Sequence, residues 1–400
     1  MVEYNQVMKI VSTDILEESR KYLKNNCRKL EVVRFEYLFN NGDLEKVLEE
    51  LKGFQNSDGG FGNGLEPDST HPQSSVLAST IALQIISEGN IVDSVMVGNL
   101  VEYLENSYVA ERKGWLAMTE DVNNYPHAIW WNWDNNKKQT SIDEHWGNPT
   151  AEVVGYLYKY RQFLRSLDIN ELLENTICYW EKLDDFKSEH EVYCYIRLHK
   201  LLPVELAKRL ESNLINATRK LVVTDSDLWK TYNPQPVSFA DNPSYFLYDV
   251  VNGGIEKNLD FLMETITDNG VWFPNWNWYQ YESDWEKSKM YWVGVLTIQN
   301  LKILRAYKRI KAGEMWNVYV LRSLVNGKFY TGYTGDFDKR LKAHNSGRGG
   351  RFTKLNKPFE LVYKEDFEDK YTAQKREREL KTNKGRYWVK KIVNSKPVGS

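Results

Sequence analysis

With 400 residues, 42% of them hydrophobic and 14% aromatic, the chain has enough apolar side chain to bury a sizeable core. That excludes a disordered protein, and a prior of ~150 residues per domain points to two or three domains. The net charge of -2 conceals a division: residues 315 to 400 hold 20 Lys+Arg and 9 Asp+Glu (+11), which leaves 33 and 46 (-13) for residues 1 to 314.

A basic module on an acidic body is the balance a polyanion binder needs, although such side chains also simply solvate a small surface. No run approaches the ~18 apolar residues of a membrane span, and the start MVEYNQVMKIVSTDILEESR has no apolar core of a secretory signal, so a cytoplasmic location without membrane contact is expected. Cys27, Cys178 and Cys194 form no CxxC pair, which argues against a disulfide framework or a cysteine zinc site.

From the N-terminus, DILEESRKYL, LEKVLEELKGF, EVVGYLYKYRQFL and VGVLTIQNLKIL repeat apolar residues at steps of three and four, the helical period. Three loops, GLEPDSTHP, SIDEHWGNP and VSFADNP, place acids just before a proline and a helix, a pattern that helix capping explains in large part. The stretch Phe54 to Gly62 (FQNSDGGFG), with a weaker copy at Asp268 to Trp272 (DNGVW), resembles the Gln...Gly-x-aromatic repeat of the terpenoid cyclase and prenyltransferase superfamily. That resemblance implies an all-α (α/α)6 toroid over residues 1–312. If the three loops open at one end of it, Glu66, Asp68, Glu144 and Asp241 ring a mouth lined by tryptophans such as Trp272. Paired carboxylates among aromatics suit a carbohydrate or isoprenoid substrate, but no DxDD or DDxxD acid set is present. The toroid's ligand or protein partner stays open.

The last helix runs into the basic stretch Tyr307 to Ala312 and then Gly313, a stop signal that coincides with the charge shift and sets the second domain at 313–400. Beyond it the period becomes 2. WNVYVLRSL, Asn326-Gly327 and KFYTGYT read as a hairpin, DFDKRLKAHNSG as a short helix, FELVYKEDF as a third strand and KYTAQKRERELKT as a second helix. A two-residue turn at Asn326-Gly327 would pair Ser323 with Tyr330 and Tyr319 with Thr334, and puts Tyr319 and Tyr330 on one sheet face. Arg340 and His344, four apart, share a helix face. Ala373 and Leu380 flank Glu377 on the packing side.

Val318-Tyr319-Val320, Tyr330-Thr331-Gly332, Arg340, His344, Arg376-Glu377 and Lys381 follow in order and spacing a pattern that resembles the GIY-YIG endonucleases, over about 80 of the 400 residues. The closing segment 376–386 is similar to the small stand-alone bacterial branch related to the excinuclease C subunit. The resemblance implies a small α+β domain with a three-stranded antiparallel sheet, cleavage of DNA phosphodiester bonds, and a setting in DNA repair. It also implies one Mg2+ or Mn2+ held by Glu377, with Arg340 facing the phosphoryl charge. Tyr319, Tyr330 and His344 would position or deprotonate the water, and which of the three takes the proton stays open. An isolated phenol near pKa ~10 is a poor base at neutral pH. Lys339, Lys342, Arg348, Arg351, Lys354, Lys357 and Arg376 suit phosphate contacts, which give affinity without sequence information. The alternative expectation makes the toroid the enzyme and the tail its DNA-binding module.

Overall fold

In a computed structural model, residues 10–40, 42–89, 95–311, 316–367 and 370–395 are described. The chain divides into two compact units, the first made mainly of residues up to Ile310 and the second of residues from Lys311 onward. No helix among the described residues is long and apolar enough to cross a membrane.

The first unit is helical: α1 (Thr13–Asn26), α2 (Lys29–Phe39), α3 (Leu44–Lys52), α4 (Val76–Glu88), α5 (Val95–Asn106), α6 (Gly147–Lys159), α7 (Ile169–Lys182), α8 (Glu189–Leu201), α9 (Val204–Leu221), the short α10 (Pro236–Phe239), α11 (Tyr248–Glu264) and α12 (Glu282–Ala306). A two-residue ribbon, β1 (Trp133–Asp134) with β2 (Gln139–Thr140), interrupts them. Helix starts are fixed by side-chain oxygens: Ser12, Asp43, Ser75, Asp168 and Ser188 each accept a first-turn amide. Of the three prolines expected at helix starts, only Pro149 behaves so, following the non-helical Asn148 at the head of α6. Pro72 and Pro243 precede the starts of α4 and α11 by several residues.

α4 and α6 bury residues on all sides, whereas α9 buries one stripe, Ala207, Leu210, Leu214 and Ala217. The unit thus holds both enclosed and one-sided helices, a coarser feature than the closed (α/α)6 ring expected from the sequence. Two loops repeat one device. The indole N–H of Trp115 donates to the Leu104 carbonyl (2.7 Å) and that of Trp272 to the Leu262 carbonyl (2.8 Å), closing the last turns of α5 and α11.

α12 ends at Ala306, with Lys308 at φ 57 turning the chain out of the helix. The stop expected at Gly313 falls outside the described residues. The left-handed conformation usually left to glycine is taken here by a lysine.

The second unit has a three-stranded antiparallel sheet in the order β4 (Phe329–Thr334), β3 (Trp316–Ser323), β5 (Phe359–Phe367). Its helices are α13 (Phe337–Asn345), α14 (Arg351–Asn356), α15 (Lys370–Lys381) and α16 (Asn383–Ser395). Of these, α14 and α16 have no counterpart in the sequence expectation. One face carries Val318 and Val320 against Ala373, Leu380 and Val389. The other carries Tyr319 and Leu321 against Phe359, with Tyr330, Phe337 and Leu341 beside them. This split is the period-2 alternation of β3.

The hairpin differs from expectation. Tyr319 pairs with Gly332 and Leu321 with Tyr330, two residues from the expected register. The loop therefore holds four residues, Leu324 to Gly327, with Gly327 at φ 70 and Asn326 on the ordinary side of φ, so the two-residue turn that needs both at positive φ does not form. Because the shift is even, Tyr319 and Tyr330 keep a common face.

Candidate active site

Tyr319 stands at the centre of β3, 1% exposed. Its phenol has room because residue 332 on the paired strand is glycine: a Cβ there would lie 2.7 Å from the Tyr319 hydroxyl oxygen. α13, started by the Asp336 carboxylate accepting the Lys339 amide (2.9 Å), projects Arg340 and His344 from adjacent turns toward this phenol. Tyr319 Oη and His344 Nε2 are 2.9 Å apart, and His344 Nδ1 lies 2.9 Å from the Thr353 hydroxyl. Thr353 Oγ1 in turn donates to the Gly350 carbonyl (3.0 Å).

When the Thr353 hydroxyl donates to Gly350 it offers only lone pairs to His344, an arrangement in which Nδ1 carries the imidazole proton and Nε2 accepts the Tyr319 O–H. Tyr330 lies edge-on to His344, ring centres 4.8 Å apart, and 6.3 Å from Tyr319. The four side chains expected to carry the chemistry are thus brought together on one sheet face.

Electrostatics follow from this enclosure. Burial pushes the Tyr319 phenol up to about 12, with the Tyr330 and Glu377 charges adding to the rise and Arg340 opposing it. Burial, then the neighbouring Arg340 charge, holds His344 below its ordinary value of 6.5. Arg340 is exposed and is held charged, first by its hydrogen bond with Tyr319. Glu377, 9% exposed, sits on α15 between the buried Ala373 and Leu380, one turn from each, and forms an ion pair with the half-exposed Lys381. Among the described residues no group of three or more His, Cys, Asp or Glu side chains converges on one point.

Lys339, Lys342, Arg348, Arg351, Lys354 and Lys357 are all exposed along α13, α14 and the loops flanking α14. Among the described residues the ion pairs of this unit run elsewhere, through Arg322–Glu360, Lys364–Asp366, Arg376–Glu365, Arg376–Glu379 and Lys381–Glu377. Arg376 is the exception among the expected phosphate contacts. Its guanidinium is engaged by Glu365 (2.8 Å) and Glu379 (3.3 Å) and lies over the Trp388 ring at 5.0 Å, so it ties β5 and α16 to α15. Thr353 is a site residue that sequence reasoning missed, since no pattern links it to His344 nine residues earlier.

In the first unit the expected ring of acids does not assemble. Glu144 and Asp241 are exposed and paired with Lys137 (2.6 Å) and Lys200 (2.7 Å). Trp272 is buried with its N–H engaged by Leu262. Glu66 and Asp68 do meet. The Asp68 carboxylate accepts the indole N–H of Trp278 (2.8 Å) and of Trp292 (2.5 Å), and Glu66 accepts the Asp68 amide (3.2 Å). Burial raises both carboxyls above the usual range, most of all Glu66, which also feels the Asp68 charge.

Comparison with known proteins agrees with the geometry of the second unit. Residues 315–391 match the GIY-YIG catalytic domain. A UPF0213 protein of Staphylococcus saprophyticus is 45% identical over 65 residues, which is 16% of this chain and 78% of that relative. UPF0213 proteins of Staphylococcus aureus strains Mu3 and Mu50 match with the same identity and coverage. These relatives cover the GIY-YIG region alone.

Proposed function

The chain belongs to the GIY-YIG family through its C-terminal unit, and from that premise we propose that it is an endonuclease cutting DNA with one divalent cation, Mg2+ or Mn2+, held at Glu377. The observation that carries this reading is the meeting of Tyr319, Tyr330, Arg340 and His344 on one sheet face, with Glu377 close enough for its charge to act on Tyr319.

A divalent cation fits these residues. Glu377 offers one carboxylate, and its present partner Lys381 is half exposed and free to swing into solvent. A hard cation that keeps most of its waters needs only one or two carboxylates. When bound there, it would supply charge neutralisation for the phosphate and a more acidic water.

The protein's own groups do the rest. With its pKa at about 12, Tyr319 is a phenolate in only roughly one molecule in 10^5 at pH 7, so it serves poorly as a base on its own. Instead it passes the proton on: Tyr319 Oη takes a proton from water while its own goes to His344 Nε2, and Thr353 keeps that nitrogen free. His344 is the net acceptor. Arg340, exposed and charged, faces the phosphate and stabilises its growing negative charge. Tyr330 orients the group it touches. The six exposed Lys and Arg hold flanking phosphates. In this reading residues 313–400 are the nuclease domain, and residues 1–312, in toroid form, recognise a ligand or partner.

The test incubates the full chain with labelled branched, nicked, duplex and single-stranded DNA across a Mg2+ and Mn2+ titration. Cation-dependent cutting is expected. A chain that never cuts, though it binds DNA, overturns the reading in favour of a binding module.

The Glu66–Asp68 pair among tryptophans favours a second reading, in which the first unit has its own acid-dependent chemistry on a carbohydrate or isoprenoid. Binding of such ligands lost in Glu66→Gln, with DNA cleavage intact, would establish it.

A further inference from the structure

α14 has two unlike faces. Thr353 and Asn356, three apart, point inward: Thr353 bonds His344, while Asn356 accepts the side-chain amide of Asn326 (2.7 Å) and its carbonyl accepts the Ser323 hydroxyl (2.6 Å). Polar bonds to the hairpin and to the histidine therefore fix this one-and-a-half-turn helix in place. Its outward face carries Phe352, 40% exposed, and Leu355, 73% exposed, also three apart. Arg351 and Lys354 alternate with them in the sequence, both exposed. The Phe352 ring is stacked on Tyr330, ring centres 6.1 Å apart and planes at 22°, while Tyr330 contacts His344.

A single exposed apolar side chain is ordinary and needs no explanation. Here an aromatic ring and a leucine stay in water on a rigid helix, one ring away from the catalytic histidine and between cations suited to phosphate. The flat apolar part of a nucleic acid is the face of a base, and in a duplex both faces are already covered by neighbouring pairs. We propose that Phe352, flanked by Leu355, is a stacking platform for an unpaired DNA base next to the scissile phosphate, which makes single-stranded or locally unpaired DNA the preferred substrate. This rests on the nuclease reading above and adds the substrate class to it. Arg348, Arg351, Lys354 and Lys357 bind the adjoining phosphates without regard to sequence, and the base is recognised by its π face, which every base has. Phe352 is thus a specificity residue that takes no part in proton transfer.

The experiment measures binding and cutting by the full chain and its Phe352→Ala, Phe352→Trp and Leu355→Ala variants. The probes are a single strand, a blunt duplex of the same sequence, that duplex with one unpaired 2-aminopurine, and a matched RNA strand. Stacking worth what aromatic platforms give one base predicts a roughly 5- to 100-fold loss of affinity for unpaired DNA in Phe352→Ala. The blunt duplex should change by less than about twofold, and Phe352→Trp should restore binding and the quenching of 2-aminopurine. Equal losses on duplex and single strand, or none, overturn the proposal while leaving the nuclease reading standing. Tighter binding of RNA than DNA overturns the DNA assignment. A parent that binds no nucleic acid sinks both. Phe352 is too exposed for its removal to unfold the unit, and an unchanged melting temperature checks that.

Discussion

Tyr319 in the C-terminal unit and Asp68 in the N-terminal unit are both nearly enclosed by aromatic rings, yet their neighbours differ in kind. Asp68 is held by indole N–H groups, which donate hydrogen bonds and never accept a proton, and its titratable neighbour Glu66 is itself buried. Tyr319 touches an imidazole with a free lone pair and an exposed guanidinium, so its proton has somewhere to go and its neighbourhood has charge to lend. Burial is the main perturbation at both sites; the second also has an imidazole in contact and an exposed guanidinium beside it. The contrast teaches that a perturbed carboxyl or phenol marks a functional site when its partners can change state with it.

The comparison can be broken most severely at Glu377. Glu377→Gln keeps shape and removes the charge that a hard cation needs, so cleavage should fall by roughly 100-fold or more while DNA affinity holds or rises slightly. Parental cutting by this variant in Mg2+ sinks the metal assignment. Arg340→Ala, by contrast, should lose both cleavage and some binding, because the guanidinium meets phosphate before and during reaction.

Thr353→Val tests the proton route itself. Losing the oxygen that holds Nδ1–H should lower kcat roughly 10- to 100-fold, as when a working histidine loses its orienting partner, with DNA affinity unchanged and Thr353→Ser restoring the rate. A KM effect without a kcat effect would reduce Thr353 to packing.

The pH profile carries a sign. His344 must be neutral to accept a proton, and its folded pKa lies below 6.5, so the acid limb of kcat should appear below pH 6.5. Stability follows the same group: between its folded value and 6.5 the unfolded chain binds more protons, so the C-terminal unit loses stability as pH falls through that window. Measuring kcat and urea midpoints from pH 5 to 8 checks both, and an acid limb above pH 6.5 would contradict the assignment.

Charge without chemistry is probed by Lys339, Lys342 and Arg351 replaced together by Ala. If each meets a duplex phosphate, the slope of log affinity against log salt should become less negative by roughly 0.9 per contact, with kcat at saturation little changed. An unchanged slope removes these residues from the DNA path.

The smallest effect belongs to the N-terminal pair. Glu66 has a raised folded pKa, so the folded state holds a proton that the unfolded chain has released above about pH 4.5, and its contribution to stability is lost as pH rises through the folded value. Glu66→Gln removes that dependence. At pH 8 to 9 its melting temperature should exceed the parental one by about 2–4 °C per kcal/mol recovered, with DNA cleavage unaltered. A lower melting temperature there would mean that the charged form is the one the fold wants.

What the sequence disclosed about the C-terminal unit came from two sources, the resemblance to the GIY-YIG endonucleases, which named the site residues, and short-range periodicity, which placed them. Period 2 placed Tyr319 and Tyr330 on one face even though the hairpin register was two residues off, because an even error preserves the face. The four-residue step from Arg340 to His344 and the Ala373–Glu377–Leu380 stripe are equally local. What stayed hidden depends on partners far along the chain. Arg376 looked like a phosphate ligand until Glu365 on β5 and Trp388 on α16 met it. Thr353 and Phe352 acquire meaning only when α14 docks on His344 and Tyr330. In the N-terminal unit, Glu144 and Asp241 read as mouth acids, but each lies beside a lysine that composition could not assign to it. Trp272 read as a pocket wall and is instead a helix-end cap, a role it shares with Trp115.

Gly332, which closes the Tyr330-Thr331-Gly332 element of the family pattern, acts as a filter that the reactive side chains alone do not supply. A methyl group there would press on the Tyr319 hydroxyl, so among related chains that keep both tyrosines, the arginine, the histidine and the glutamate, those with a larger residue at this strand position should have lost the cutting step and kept DNA affinity. One silent glycine would then sort nucleases from their inert descendants, a distinction that inspection of the reactive side chains alone would overlook.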